Sequence, residues 1–254
     1  MMKIIPEPAA KFKVLDLFSG IGGFSLGLER TGGFKTVAFC EIDPFCQNVL
    51  KKHWPDVPCE NDVTTIEFKE GQADVITGGF PCQDISLANT NGTGLAGERS
   101  GLFREIMRGV RVVRPRYVLL ENVAELLNRG MGVVCGEMAE SGYDTEWDCI
   151  AADSVGAVHE RERVWIMAYP HDERLQGGKL RMPQNSGEGN IDAALLPSLP
   201  LCRNKDELPT PYVVGSNAGI PDRAHRIRAL GNTVLPQIPE IIGHAILQAE
   251  GLTP

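Results

Sequence analysis

Val14-Leu15-Asp16-Leu17-Phe18-Ser19-Gly20-Ile21-Gly22-Gly23 decides the fold. Its first five residues are apolar apart from Asp16, which predicts a buried strand. The glycine-rich turn that follows runs into an amphipathic pattern through Arg30, and strand, glycine turn and helix together open a Rossmann-like unit. The spacing is neither G-x-G-x-x-G nor a P-loop ending in Gly-Lys-Ser/Thr, so a phosphate-cradling role is poorly matched. A second strand over residues 36–40 closes on Glu41, about twenty residues past the turn, where an acid typically holds ribose hydroxyls. Asn61-Asp62-Val63 offers a carboxylate to an adenine amino group; equally, Asp62 is an Asx-turn or N-cap residue ahead of Ile66.

Further on, residues 73–76 read as a short buried strand that delivers Thr77-Gly78-Gly79-Phe80-Pro81-Cys82-Gln83-Asp84-Ile85-Ser86. The glycines allow close backbone approach, Pro81 stiffens the turn, and Cys82 stands at a strand exit before the glycine-rich run 89–97. That is a position for a nucleophile, weighed against the inert buried thiol that most cysteines are. Arg99-Ser100-Gly101 opens a helix to about Val113, with Leu102, Ile106, Val110 and Val113 on one stripe and Arg114-Pro115-Arg116 as its stop. Residues 117–120 form the next strand and end in Glu121-Asn122-Val123. A carboxylate at the carboxyl end of a central parallel strand sits where ligands bind, unless it only caps the next helix. A helix is expected over 131–141. Strands over 145–151 and 164–168 flank Ala157-Val158-His159-Glu160-Arg161-Glu162-Arg163, whose period of two puts Arg161 and Arg163 on one face. Residues 171–212 are polar, rich in Gly, Pro and Asn, and lack periodicity. Order returns with Leu230-Gly231-Asn232-Thr233-Val234 and a final helix over 240–248, flanked by Pro236 and Pro239.

Composition narrows the class. The chain has 254 residues, 43% hydrophobic, with 17 Pro and 28 Gly, as expected of a globular protein with many turns. Seven scattered cysteines without a C-x-x-C pair indicate neither a zinc site nor a disulfide framework, and no metal is expected. No apolar run reaches membrane-spanning length, and residues 1–13 lack a signal-peptide core, so a reducing cytoplasm is the expected location. The net charge of −8 weighs mildly against nucleic acid, but an enzyme needs only one basic face; Arg161, Arg163, Arg223, Arg226 and Arg228 gather late in the chain.

These blocks, in this order, resemble the DNA (cytosine-5) methyltransferases of bacteria and phages, over residues 14–168 and 219–246. The resemblance implies an α/β fold: a Rossmann-like S-adenosylmethionine-dependent sheet with helices on both faces and a small irregular target-recognition subdomain. The domains are then residues 1–168 for catalysis and cofactor, 169–218 for target recognition, and 219–254 returning to the catalytic domain. It assigns the S-adenosylmethionine site to Asp16, Phe18, Gly20, Ile21, Gly22, Gly23, Glu41, Ile42, Asp62 and Val63, joined by Gly79, Pro81, Leu102, Asn232 and Val234. Catalysis falls to Cys82, Glu121, Arg161 and Arg163, and substrate contact to Phe80, Gln83, Ser86 and Asn122.

By the same resemblance, the Cys82 thiolate adds to C6 of a cytosine flipped out of double-stranded DNA. A protonated Glu121 donates to N3, and Arg161 meets O2. The loop from Gln83 to Arg99 is expected to close over the base. Two departures stand out: His159 replaces the family's usual glutamine, and the recognition region is short for the family. A monomer is expected. The alternatives are a tRNA cytosine-5 methyltransferase, a non-catalytic DNA-binding relic of the fold, and a nicotinamide oxidoreductase, which explains the glycine turn and nothing after it.

Overall fold

Along β1 (Phe12–Leu17), neighbouring side chains enter two different cores: Phe12 and Val14 belong to one, Leu15 and Leu17 to the other. β5 (Tyr117–Val123) alternates in the same way, Tyr117 and Leu119 against Val118 and Leu120. A strand buried on both faces needs a layer above and a layer below, which is why these segments read as mostly apolar runs without polar alternation. The computed structural model describes residues 11–81, 101–157, 161–171 and 223–252.

The sheet has seven strands in the order β3-β2-β1-β4-β5-β7-β6, with β2 at Phe34–Cys40, β3 at Cys59–Glu60, β4 at Val75–Gly79, β6 at Tyr143–Ala151 and β7 at Glu162–Pro170. The β1–β2, β1–β4, β2–β3 and β4–β5 pairs are parallel, and β7 runs antiparallel between β5 and β6. Strand order reverses at β1, between β2 and β4, so the crevice of an open α/β sheet lies where the glycine turn leaves β1.

One face is covered by α1 (Gly23–Arg30) and the helix Gln237–Ala249, through Phe24, Leu28, Ile238, Ile241, Ile242 and Ile246. The other face is covered by the helices Gly101–Val113 and Met131–Glu140, through Ile106, Met107, Val110, Val134 and Met138. In chain order the helices are α1, α2 (Pro44–His53), α3 (Gly101–Val113), α4 (Leu126–Arg129), α5 (Met131–Glu140), α6 (Arg223–Asn232) and α7 (Gln237–Ala249). A doubly covered α/β sheet is the expected fold.

Several elements differ from the sequence reading: α2 and α4 were not anticipated, and β2, β6 and β7 each begin two residues before the expected start. Pro239, expected to flank the last helix, lies inside the first turn of α7, where its missing N–H would have no partner; the first helical bond is Glu240 N–H to Pro236 O, 3.1 Å. α6 was not anticipated, because its arginine-rich sequence has no apolar stripe. α3 stops as expected: Arg114, before Pro115, turns to φ 54°.

Candidate active site

The carboxyl ends of β1, β2 and β3 build one half of the site. At the end of β1, Phe18 (φ 54°), Gly20 (φ 54°) and Gly22 (φ 87°) take left-handed backbone, which folds the turn tightly enough for α1 to start at Gly23. Ser19 fastens this turn to β2, its backbone N–H and hydroxyl both donating to Cys40 O. The Glu41 carboxylate fastens it further by accepting from Gly20 N (2.7 Å) and Asp43 N (2.8 Å). Glu41 keeps free lone pairs beside an open backbone: a Cβ built on Gly20 meets nothing within 4 Å. Ile42, 68% exposed, offers a flat apolar surface next to that carboxylate.

Asp62 follows β3 on the same edge. It N-caps the 3₁₀ turn Val63–Thr65, its Oδ1 accepting from Thr64 N (2.9 Å) and Thr64 Oγ1 (2.8 Å), which holds its pKa below the ordinary value. The capping alternative is therefore correct for one oxygen, while the exposed carboxylate retains the other. A nucleoside with free ribose hydroxyls and an amino group fits these residues: open glycine backbone, two acids and one apolar face.

Asp16 does not belong on that surface. Its side chain has no exposure; Oδ2 accepts from Ser25 Oγ (2.8 Å) and Oδ1 from Thr77 Oγ1 (2.7 Å). Burial, opposed by those two hydrogen bonds, lifts its pKa from 3.8 to about 7. Asp16 thus lies beneath the turn and ties β1, α1 and β4 together. Ser25 and Thr77 were missed in the sequence, where the one signal is a hydroxyl at a position that packing would give to an apolar residue. Val63 (4% exposed) is likewise turned into the core and presents only its backbone.

The carboxyl ends of β4 and β5 build the other half. Gly79 pairs with Glu121 across the two strands, and a Cβ on Gly79 would stand 3.3 Å from Glu121 Oε2. Glycine there keeps the carboxyl accessible from the β4 side. Glu121 is 8% exposed, and Arg163 Nε lies 3.0 Å from its Oε1. Burial raises the Glu121 pKa despite the opposing charges of Arg163 and Arg161.

The resemblance gave Arg161 the cytosine O2. In the structure Arg163 meets the Glu121 carboxyl, and Arg161 Nη1 donates to Thr233 O (2.9 Å) in the segment between α6 and α7. The cause is register: β7 sets Arg163 opposite Val123, on the face Glu121 shares, while Arg161 precedes the strand. Arg161 Nε and Thr233 Oγ1 are both buried there without a partner.

Two residues expected to touch substrate are committed elsewhere. Asn122 is buried, donating its amide to Phe80 O (2.8 Å), and the Phe80 ring packs 5.2 Å from Phe103. Together they anchor the turn that leaves β4 at Pro81, which is exposed. Leu102 is half-buried at the start of α3, and Asn232 is exposed at the end of α6. Val234 (9% exposed) lies against the glycine turn: its O would be 2.3 Å from a Cβ on Gly23. Gly27, one turn on, approaches Pro236 O as closely, so the 234–240 segment rests on a side-chain-free stripe of α1. Cys82, Gln83, Ser86 and the loop expected to close over the base lie outside the described residues, as do His159 and nearly all of the recognition region.

A sequence profile described as C-5 cytosine-specific DNA methylase matches residues 12–205. The chain belongs to the C-5 cytosine-specific DNA methylase family. Among curated methylases, it is 38% identical over 164 residues to the type II methyltransferase M2.BsuMI of Bacillus subtilis, covering 61% of this chain and 41% of that one. With M1.ScrFI of Lactococcus lactis the identity is 34% over 191 residues, covering 72% and 49%. The chain thus spans about half the length of the curated methylases it matches. A DNMT2 variant from Spodoptera frugiperda superposes with a TM-score of 0.53 at 22% identity, over 64% of this chain and 51% of that one, a likeness of fold.

Proposed function

We propose that this methylase transfers a methyl group from S-adenosylmethionine to C5 of a cytosine flipped out of double-stranded DNA. The observation that carries the reading is Glu121: a carboxyl buried at a strand end, with its pKa raised and Arg163 beside it, next to the strand that leads to Pro81-Cys82. Cytosine C5 is too weak a nucleophile to react unaided. The Cys82 thiolate forms a bond to C6, and the ring electrons move towards C5 and N3.

A protonated Glu121 donates to N3 as that charge develops, and Arg163 faces O2 of the same ring. The cofactor supplies an electrophilic methyl group to C5; a base then takes the C5 proton and Cys82 leaves, restoring the aromatic ring. Glu41 accepts from the ribose hydroxyls, Asp62 from the adenine amino group, and Ile42 covers the adenine face. Arg161 holds the segment at Thr233, so that Val234 closes against Gly23 behind the cofactor. Residues 169–218 supply target recognition to the catalytic residues 1–168 and 219–254. The family's name and the type II methyltransferase relatives support DNA as the substrate.

The test is transfer of labelled methyl to mixed-sequence duplex DNA and, in parallel, to tRNA. Label recovered as 5-methylcytosine in DNA, and lost in Cys82→Ala with cofactor affinity retained, is the expected result. Label in tRNA alone would overturn the substrate, and loss of cofactor binding in Cys82→Ala would overturn the cysteine's role.

A further inference from the structure

The link between β3 and β4 carries no α-helix; after the 3₁₀ turn Val63–Thr65 it runs in irregular backbone to β4. Such backbone, with Val63 (4% exposed), Ile66 (8%) and Phe68 (8%) in the core, has carbonyls in need of donors. Arg108, on α3, supplies them. Its Nη2 donates to Val63 O and its Nη1 to Ile66 O, each at 2.8 Å. Its guanidinium lies 4.5 Å from the Phe68 ring centre, and Glu105, one turn earlier on α3, holds Nε at 2.6 Å. The next residue, Gly109, lets the helix approach: a Cβ there would stand 3.1 Å from the Phe68 ring.

The planar fork is what the site requires. Two parallel donors span two carbonyls three residues apart while the flat face stacks on Phe68, a geometry that lysine cannot reproduce. Both carbonyl bonds and the ring contact fall on the loop that presents Asp62 and the Val63 backbone. α3 begins at Gly101, directly after the segment that follows Cys82.

We infer that Arg108 is a positioning residue for adenine recognition: it fixes the Asp62–Val63 pair at the distance that reads the 6-amino group and N1 of the cofactor's base. The inference rests on the cofactor reading above. In it, Asp62 accepts from the amino group and the Val63 N–H donates to N1. An inosine base reverses both demands, with an oxo group at C6 and a hydrogen on N1. Loosening the loop therefore removes selectivity for adenine ahead of general affinity.

The experiment measures dissociation constants of S-adenosylhomocysteine and S-inosylhomocysteine for the parent chain, Arg108→Lys, and Arg111→Lys as control. Arg111 lies on the same helix but pairs with Glu137, away from the loop. The parent is expected to prefer the adenosyl ligand by about tenfold or more, the worth of one or two mismatched hydrogen bonds. Arg108→Lys should weaken the adenosyl ligand about tenfold and the inosyl ligand little, bringing the ratio towards one. Arg111→Lys should leave it unchanged. Phe68→Leu, which removes the stacking face and keeps both hydrogen bonds, should fall between.

Equal weakening of both ligands by Arg108→Lys, with a lowered Tm, would reduce Arg108 to a structural residue and overturn the inference. A parent chain that binds both ligands equally would overturn it as well. Binding of neither ligand by the parent would instead sink the cofactor reading beneath it.

Discussion

Asp16→Asn should make the protein more stable, and increasingly so as pH rises. The side chain is wholly buried, and its pKa stands at about 7 against an ordinary value of 3.8. Between those values the folded chain holds a proton that the unfolded chain has released, so stability falls as pH rises through this window. A shift of about 3 units corresponds to roughly 4 kcal/mol lost once both states are ionised. Asparagine has the same shape and no charge to bury, and the Ser25 and Thr77 hydroxyls can each donate to its oxygen or accept from its NH₂ group.

Urea unfolding of parent and variant, followed by circular dichroism at pH 5 and 8.5, reads the difference directly. The variant's advantage should grow by about 3 kcal/mol over that interval and stay level above it, since only part of the cost has accrued at pH 5. Other titrating groups are common to both proteins and cancel, apart from Glu41, whose charge adds a minor contribution. A gap that is constant with pH, or an advantage that shrinks, would show that Asp16 is already ionised in the folded state and would refute the argument.

Glu121→Gln should lower kcat about a hundredfold, because the amide still donates towards N3 but is a far weaker acid. The raised Glu121 pKa means the parent loses its proton, and with it activity, as pH rises through that value; a flattened alkaline limb in the variant's pH–rate profile checks the assignment. Gly27→Ala separates helix propensity from packing. Propensity alone predicts a gain of up to about 1 kcal/mol in mid-helix. The added Cβ, however, would stand 2.2 Å from Pro236 O, and a loss of about 1–3 kcal/mol by urea unfolding is expected instead.

The positions of the residues at the β4 and β5 ends of the candidate site were legible without coordinates. Gly79, Pro81 and Glu121 could be placed because strand ends at the carboxyl edge of a parallel sheet are positions fixed by chain order and period. The acids at Glu41 and Asp62 follow from the same rule. What could not be read was where a side chain turns after its backbone is placed. Asp16, Asn122 and Phe80 occupy the expected positions, yet their side chains are engaged inside the protein with Ser25 and Thr77, with the Phe80 carbonyl, and with Phe103.

The chain by itself determined the central strands, the helices α1, α3, α5 and α7, the glycine turn after β1 and the edge on which the acids gather, because these depend on apolar period and local backbone freedom. Only the tertiary structure decided which arginine faces Glu121, that Asp16 supports the turn from below, and that Arg108 carries the loop of Asp62. Each of those depends on the register of an antiparallel strand or on contacts between residues dozens of positions apart, and no local pattern encodes such distances.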